Sequence, residues 1–349
     1  MKLRFSLAVM AWMVAGFALA QSSSNKVVNY ETIADEPYEI NNLWLHIQPL
    51  TADMFQTNMA ICYGVQADYL MKDKYHFEAK LRGPYAKQVD FARQLGESNG
   101  AVMIGDQRYE LATKLDRFLR IQAGMTYHVI DREKKGVARL VMAYKKQERY
   151  RYENYDRITV NAQVRNFVGV RGGFEHYETA TALSPVLRKQ GAVLTGDDGS
   201  TLAYSPENGG TLFTNVTAPG MYLGGSYGII RNISVKADKV GTIGDDRFIT
   251  FYGDLLLSPW VKLDDIIAHL DDTEKQVTFS TAAVKTRKIG FRTGFDIMFN
   301  QRSYFSFGGE VGFRPGIAGR GLYAEARVGL PVFGFKMNGM RTANNTGGF

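Results

Sequence analysis

The 349-residue sequence contains a single cysteine, Cys62, so the chain forms no internal disulfide. An exported chain reaches an oxidising space where small domains are stapled, but a domain of this length builds a core without staples. Cys62 falls in a strand-like run and reads as a small packing residue rather than a thiol nucleophile. Beyond the first twenty residues no long uninterrupted apolar stretch occurs. That excludes helical membrane spans, but not a membrane barrel, in which only every second strand residue faces lipid. An excess of charge is also scarce. The formal charge is +7 and falls to +5 (40 basic minus 35 acidic residues) once Lys2 and Arg4 are removed with the N-terminal segment. This surplus is spread along the chain, whereas nucleic-acid binding wants a concentrated basic face. No nucleic-acid partner is expected, and anionic lipid head groups are the more natural neighbours. The sequence has no Gly-x-Ser-x-Gly nucleophile turn, no phosphate-cradling glycine loop and no zinc-ligand cluster. No catalytic residue, cofactor or metal is therefore expected.

What is present begins with Met1–Ala20. Lys2 and Arg4 precede an apolar stretch from Phe5 to Ala20, and Ala18 and Ala20 supply a small-x-small cleavage site before Gln21. This reads as a cleaved secretory signal peptide. The alternative, a membrane anchor, needs about 18–20 apolar residues. Gln21 rather than Cys after the cut gives no sign of lipoprotein acylation. Residues 21–50 read as a periplasmic leader running into the first strand, residues 51–335 as one β-domain, and residues 336–349 as a polar tail.

The β-domain shows sustained period-two patterning. In Thr57–Lys72 the odd positions include Met59, Ile61, Tyr63, Val65, Tyr69 and Met71, while the even ones include Cys62, Gly64, Gln66, Asp68 and Lys72. After Asp73–Lys74 the run Tyr75, Phe77, Ala79, Leu81 alternates with His76, Glu78, Lys80, Arg82. Such sets lie on opposite faces of an antiparallel hairpin. Similar runs occupy Arg108–Leu115, Phe118–Ile130, Val137–Lys146, Ile158–Arg171, Gly220–Val235, Arg247–Val261, Lys288–Asn300, Phe305–Phe313 and Leu322–Val332. The segment Asp131–Gly136 reads as a charged turn. Pro84–Asp106 has helical spacing, Leu263–Gln276 reads as a short helix, and Ser184–Asn215 has no period. These three become long loops, rim helices or a plug.

Alternation alone does not say which face is wet, since a soluble sandwich alternates too. Three features favour apolar side chains pointing outward: export without cysteine pairs, glycines beside charges of both signs on the polar faces, and 19 Tyr, 21 Phe and 3 Trp recurring near strand ends. The fold expected is an all-β, antiparallel, up-and-down transmembrane barrel of about twelve strands, within a range of eight to fourteen. Its interior is expected to hold a charge network of Glu78, Lys80, Arg82, Arg120, Arg165, Asp254, Arg292, Asp296, Glu310, Glu325 and Arg327. Near-balanced inner charge would obstruct flow, whereas an ion-selective pore shows rings of one sign.

With its signal peptide, the Lys288–Arg314 hairpin and the aromatic-rich run Leu322–Phe335, the chain resembles Gram-negative outer-membrane β-barrel proteins. The style of its leader and loops is similar to barrels from bacteria with type IX secretion. The resemblance implies the outer membrane as the location and its lipids as partners. Barrels of this class often end in an aromatic strand residue read by the insertion machinery, here Phe333 or Phe335, since Asn344–Gly348 before Phe349 is no strand. The function expected is a structural, assembly or secretion-partner role, with other envelope or secretion-machine proteins as partners. A narrow passive porin and a lipid-modifying enzyme are the alternatives. For the enzyme, His128 and His76 lie on polar faces, while His46, His176 and His269 lie elsewhere. The acids at Gly196–Ser200 and Asp271–Asp272 offer oxygen ligands for calcium but lack EF-hand spacing, and read as solvated loop acids.

Overall fold

A computed structural model of the chain describes residues 29–55, 58–85, 89–90, 101–104, 107–112, 118–146, 153–203, 212–237, 241–270, 275–300 and 305–335. Residues 1–20 (read as a signal peptide), 301–302 (read as a turn) and 336–349 (read as a polar tail) lie outside the described residues. The chain divides into two compact units.

The larger unit comprises Glu36–Lys134, Val164–Asn232 and the residues from Asp246 onward. It is a closed antiparallel barrel of ten strands. In chain order these are β1 (Leu43–Phe55), β2 (Asn58–Met71), β3 (Tyr75–Pro84), β4 (Leu119–Lys146), β5 (Glu153–Ala182), β6 (Phe213–Ile230), β7 (Arg247–Leu257), β8 (Ile289–Phe299), β9 (Ser306–Phe313) and β10 (Leu322–Phe335). Each pairs with its sequence neighbours, and β10 closes on β1 from Leu43↔Phe335 to Phe55↔Tyr323. The register of β1 slips between Gln48 and Thr51. Pro49, which has no N–H for the ladder, sits inside that bulge.

Ten strands rather than twelve have two causes. The run Arg108–Leu115 is not a barrel strand: Gln107–Leu111 pairs with Ile266–Leu270. The segment Asp131–Gly136 is not a turn but continues β4 from Phe118–Ile130 into Val137–Lys146 as one 28-residue strand. Gly220–Val235 divides between β6 and a separate strand, Ile233–Ala237.

The long connections at one end of the barrel build a second sheet of six strands. Its order is Thr201–Ala203, Val193–Gly196, Gln276–Ser280, Ile266–Leu270, Gln107–Leu111, Ala101–Ile104. Within Leu263–Gln276, the described residues Ile266–Leu270 are therefore strand, not helix. Ile266 and Ala268 are buried and Ile267 and His269 are not fully so, a period of two. Pro84–Asp106 contributes Val89–Asp90 and Ala101–Ile104 as strands where described. Ser184–Asn215 contains helix α1 (Ser184–Gln190), which has Pro185 in its first turn and ends at Gly191 in the left-handed region. Leu183, Leu187, Leu194, Val216, Ile266, Val277, Phe279 and Ile317 pack together as the core beneath this cap.

The smaller unit comprises the residues up to Asp35, Lys135–Gln163 and Ile233–Asp245. Tyr30–Asp35 pairs with Ile233–Ala237, which pairs with Gly241–Asp245. Ala138, Leu140, Ile158, Val160, Ala162, Ile233 and Val235 form its core. Ala138, Leu140, Ile158, Val160 and Ala162 are thus turned inward, opposite to the inside-out expectation for these side chains, while Val137 and Val141 are exposed. Leu140→Ala is expected to cost this unit about 2–5 kcal/mol, read as faster amide exchange at residues 158–162. Unchanged protection there would mean the core does not depend on Leu140.

Candidate functional site: the barrel interior

Within the larger unit the faces are sorted as the alternation predicts. On β2 and β3, Ile61, Tyr63, Val65, Phe77 and Leu81 are exposed, while Cys62, Gln66, Asp68, His76, Lys80 and Arg82 are buried. On β4, Met125, Tyr127 and Val129 point out, while Arg120, Gln122, Thr126 and His128 point in. Glycines make this inward face passable. A Cβ on Gly124 would fall on the Tyr222 hydroxyl, and one on Gly228 would fall on the Phe167 ring. At these two positions the interior is filled because the wall has no side chain.

The inward charges close a ring. Lys80 Nζ meets Glu78 at 3.0 Å and Asp296 at 3.3 Å. Asp296 meets Arg327 at 2.7 Å, and Arg327 meets Glu325 at 2.7 Å. Glu325 is shared by Arg120 and by Arg82, the latter at 2.9 Å. Arg120 reaches Glu175 at 2.8 Å and Glu310 at 2.5 Å. Glu175 bonds Arg292 at 2.9 Å, and Arg292 bonds Asp254 at 2.7 Å. Asp254 meets Arg171 at 3.3 Å, and Arg171 returns to Glu78 at 2.6 Å. Six cations (Lys80, Arg82, Arg120, Arg171, Arg292, Arg327) face six anions (Glu78, Glu175, Asp254, Asp296, Glu310, Glu325), so the set is neutral.

Tyrosines stack within the ring. The Arg171 guanidinium lies 4.2 Å from the Tyr252 ring centroid and that of Arg292 lies 4.4 Å from Tyr222, within cation–π range. The Tyr252 hydroxyl donates to Glu310 at 2.8 Å, and Tyr323 also donates to Glu310. A hydrogen-bonded side chain of Gln48, Gln66, Asp68 and His76 branches from Arg82.

Ten of the eleven charged residues singled out from the sequence lie in this ring. Arg165 does not. It binds Asp131 at 2.5 Å and Asp73 at 3.2 Å near the β2–β3 turn, with Tyr38 stacked 4.2 Å away. Burial and the Asp131 carboxylate together hold the Tyr38 hydroxyl's pKa above its usual value. Glu175 and Arg171 complete the ring. Extending the odd-position parity of Arg165, Gly169 and Arg171 to 175 would have found Glu175. A separate buried pair, Arg314–Asp53 at 2.5 Å, lies toward the capped end.

Apolar clusters flank the charged belt at both ends. Trp44, Leu70, Phe167, Ile230, Phe248 and Met298 pack at the end of the β2–β3 turn, and the core under the six-stranded cap fills the other end. A cavity among Asp68, His76, Thr126, Arg171, Ser226 and Thr250 measures ≈ 10 Å³, room for about one water. Three of the five histidines are tied locally by their side chains. His76 meets Asp68 at 3.1 Å, His128 meets the Asp73 carbonyl at 3.1 Å and His176 meets Glu178 at 3.4 Å. His46 is buried in the barrel, and His269 is paired in the cap sheet with Glu110 and Gln276. In the Gly196–Ser200 loop, Asp198 accepts from the Ser200 amide at 3.0 Å, and hydrogen bonds from Ser200 hold its carboxyl below the usual range. Asp271–Asp272 lie outside the described residues. Among the described residues no helix is long and apolar enough to cross a membrane.

No family model and no curated protein matches the chain. Among solved structures, the P. putida toluene transporter TodX aligns over 83% of this chain and 88% of its own, at 10% identity and a TM-score of 0.21. The transport unit of the autotransporter AIDA-I from Escherichia coli aligns over 92% and 96%, at 9% identity and a TM-score of 0.23. A mutant Rh. blastica porin aligns over 83% and 99%, at 9% identity and a TM-score of 0.15. Alignments this loose carry no functional weight.

Proposed function

We propose that the chain is an integral outer-membrane β-barrel whose interior is sealed by paired charge, serving a structural, assembly or secretion-partner role rather than conducting solutes. What carries the membrane part is the outward belt. Met221 and Leu223 are 61% and 62% exposed on β6, which buries Tyr222 and Ser226, and Ile289 and Phe291 are 56% and 53% exposed on β8, which buries Arg292. In water such a continuous apolar surface is a liability; against acyl chains it is the ordinary outer face of a barrel. An exported soluble β-protein would bury these side chains against one another.

The sealed interior is supported by the neutral ring, by apolar packing at both barrel ends, and by a cavity too small for a solute. Stable single-channel steps in planar bilayers would remove this reading and leave the narrow porin. The expected result is a flat baseline from protein whose gel migration shifts on boiling, the sign of a folded barrel. The enzyme alternative is disfavoured by the same enclosure. Asp68, His76 and Ser226 line one cavity, but its ≈ 10 Å³ admits no lipid ester. Lipid hydrolysis abolished by His128→Ala would count for the enzyme. The secretion-partner part, including the similarity to type IX barrels, is carried by the sequence resemblance alone.

A further inference from the structure

We propose that the rim at the capped end of the barrel binds the phosphate groups of an anionic membrane lipid, a proposal that rests on the membrane reading above. Three segments meet there: residues 179–192, which include α1, residues 284–290, and residues 314–322. The Gln190 amide donates to the carbonyls of Lys285 and Ala318, each at 3.2 Å, and accepts from the Lys285 N–H at 2.8 Å. Thr286–Arg287 pairs with Gly316–Ile317. A Cβ on Gly319, which sits at φ +83°, would lie 3.1 Å from Lys189 Nζ. The lysine thus reaches over that turn.

These segments contain Arg188, Lys189, Lys285, Arg287, Lys288, Arg314 and Arg320, and no aspartate or glutamate. Arg314 is matched by Asp53. Elsewhere in the barrel, buried guanidinium groups meet carboxylates, as at Arg82, Arg120, Arg165 and Arg292. At the rim the pattern breaks. Among the described residues no carboxylate pairs with Lys189, Lys285, Arg287, Lys288 or Arg320. Arg320 is partly buried and donates to the Ala182 carbonyl at 3.2 Å. Burial without a compensating anion lowers its pKa. Arg287 donates to the Arg314 carbonyl at 3.3 Å and has a buried Nε without a hydrogen-bond partner. Partly desolvated cations of this kind gain from an anion supplied from outside.

The neighbours of the cluster decide which anion. Ile289 follows Lys288 directly and is 56% exposed, and Leu322, two residues after Arg320, is 53% exposed. The cations stand where the apolar belt ends. Acyl chains against Ile289 and Leu322 would bring a phosphate to the height of Lys288 and Arg320, whereas a soluble anion gains nothing from that border.

The test uses the full chain reconstituted in phosphatidylcholine vesicles with or without added phosphatidic acid, alongside K189Q/K285Q/K288Q and, as a control at the far end of the barrel, K72Q/K74Q. Each near-surface cation is worth about fivefold in affinity for anionic lipid. The triple variant should therefore bind phosphatidic acid about a hundredfold more weakly than wild type, while K72Q/K74Q binds as wild type. Gel migration before and after boiling shows that each variant is folded. Equal affinity in all three, equal loss in K72Q/K74Q, or full displacement by inorganic phosphate overturns the lipid site. Failure of the protein to float with phosphatidylcholine vesicles at all overturns the membrane reading instead, and is seen before any lipid preference is measured.

Discussion

Replacing Arg120 by alanine is expected to destabilise the barrel by about 3–5 kcal/mol, the cost of leaving buried charge without its partner. Arg120 is fully buried and touches Glu175, Glu310 and Glu325 at once. Its loss leaves the ring with five cations against six anions. Arg82→Ala should cost less, because Glu325 keeps both Arg120 and Arg327. Adding Glu310→Gln to Arg120→Ala should recover part of the loss by restoring the balance, a coupling of the kind contacting residues show. Urea titration of the folded protein in lipid vesicles measures all three. A change below about 1 kcal/mol for Arg120→Ala, the scale of an exposed pair, would mean that water or mobile side chains already screen the ring.

Much of this barrel is readable from residue alternation, and the parts that are not have physical reasons. On β2, β3, β7 and β8 the contrast between oily and polar faces persists for ten or more residues, so the period is unmistakable. Ile266–Leu270 has five residues; so short a strand with two adjacent isoleucines fits helical spacing equally well. Arg132–Lys135 looks like a turn because both of its faces are exposed, which leaves extended backbone with nothing to alternate. For the ring, sequence parity places ten charges on inward faces. It does not say which cation meets which anion. Arg120 finds Glu310 and Glu325 at sequence separations of 190 and 205, and those pairings are set by how strands stagger as the sheet closes. Arg165 shows the limit of parity alone: it points inward, but at a level where Asp131 and Asp73 take it instead.

The orientation of the apolar face changes along single strands, and arginine substitution locates that change. In β4, Met125, Tyr127 and Val129 are exposed, yet beyond residue 135 it is Ala138 and Leu140 that are buried. In β5, Ile158, Val160 and Val164 are buried, while Val168, Val170 and Phe174 are exposed. Under the membrane reading proposed above, the exposed apolar residues of one stretch face hydrocarbon, whereas the buried ones of the other form the core of the smaller unit. Leu81 and Val141 are equally exposed, at 47% and 48%, so area alone predicts equal tolerance of a charge. The surrounding solvent predicts otherwise. Leu81 sits between Lys80 and Arg82, at the level of the charged ring, and Leu81→Arg should cost about 2–4 kcal/mol if that level is near the bilayer midplane. Val141→Arg adds a charge to a water-facing strand and should stay within about 0.5 kcal/mol. The two variants, compared by urea titration in the same vesicles, separate a lipid-facing barrel wall from a soluble sheet. Equal and small costs would place both side chains in water, and the greasy belt would then have to be covered by another protein rather than by lipid.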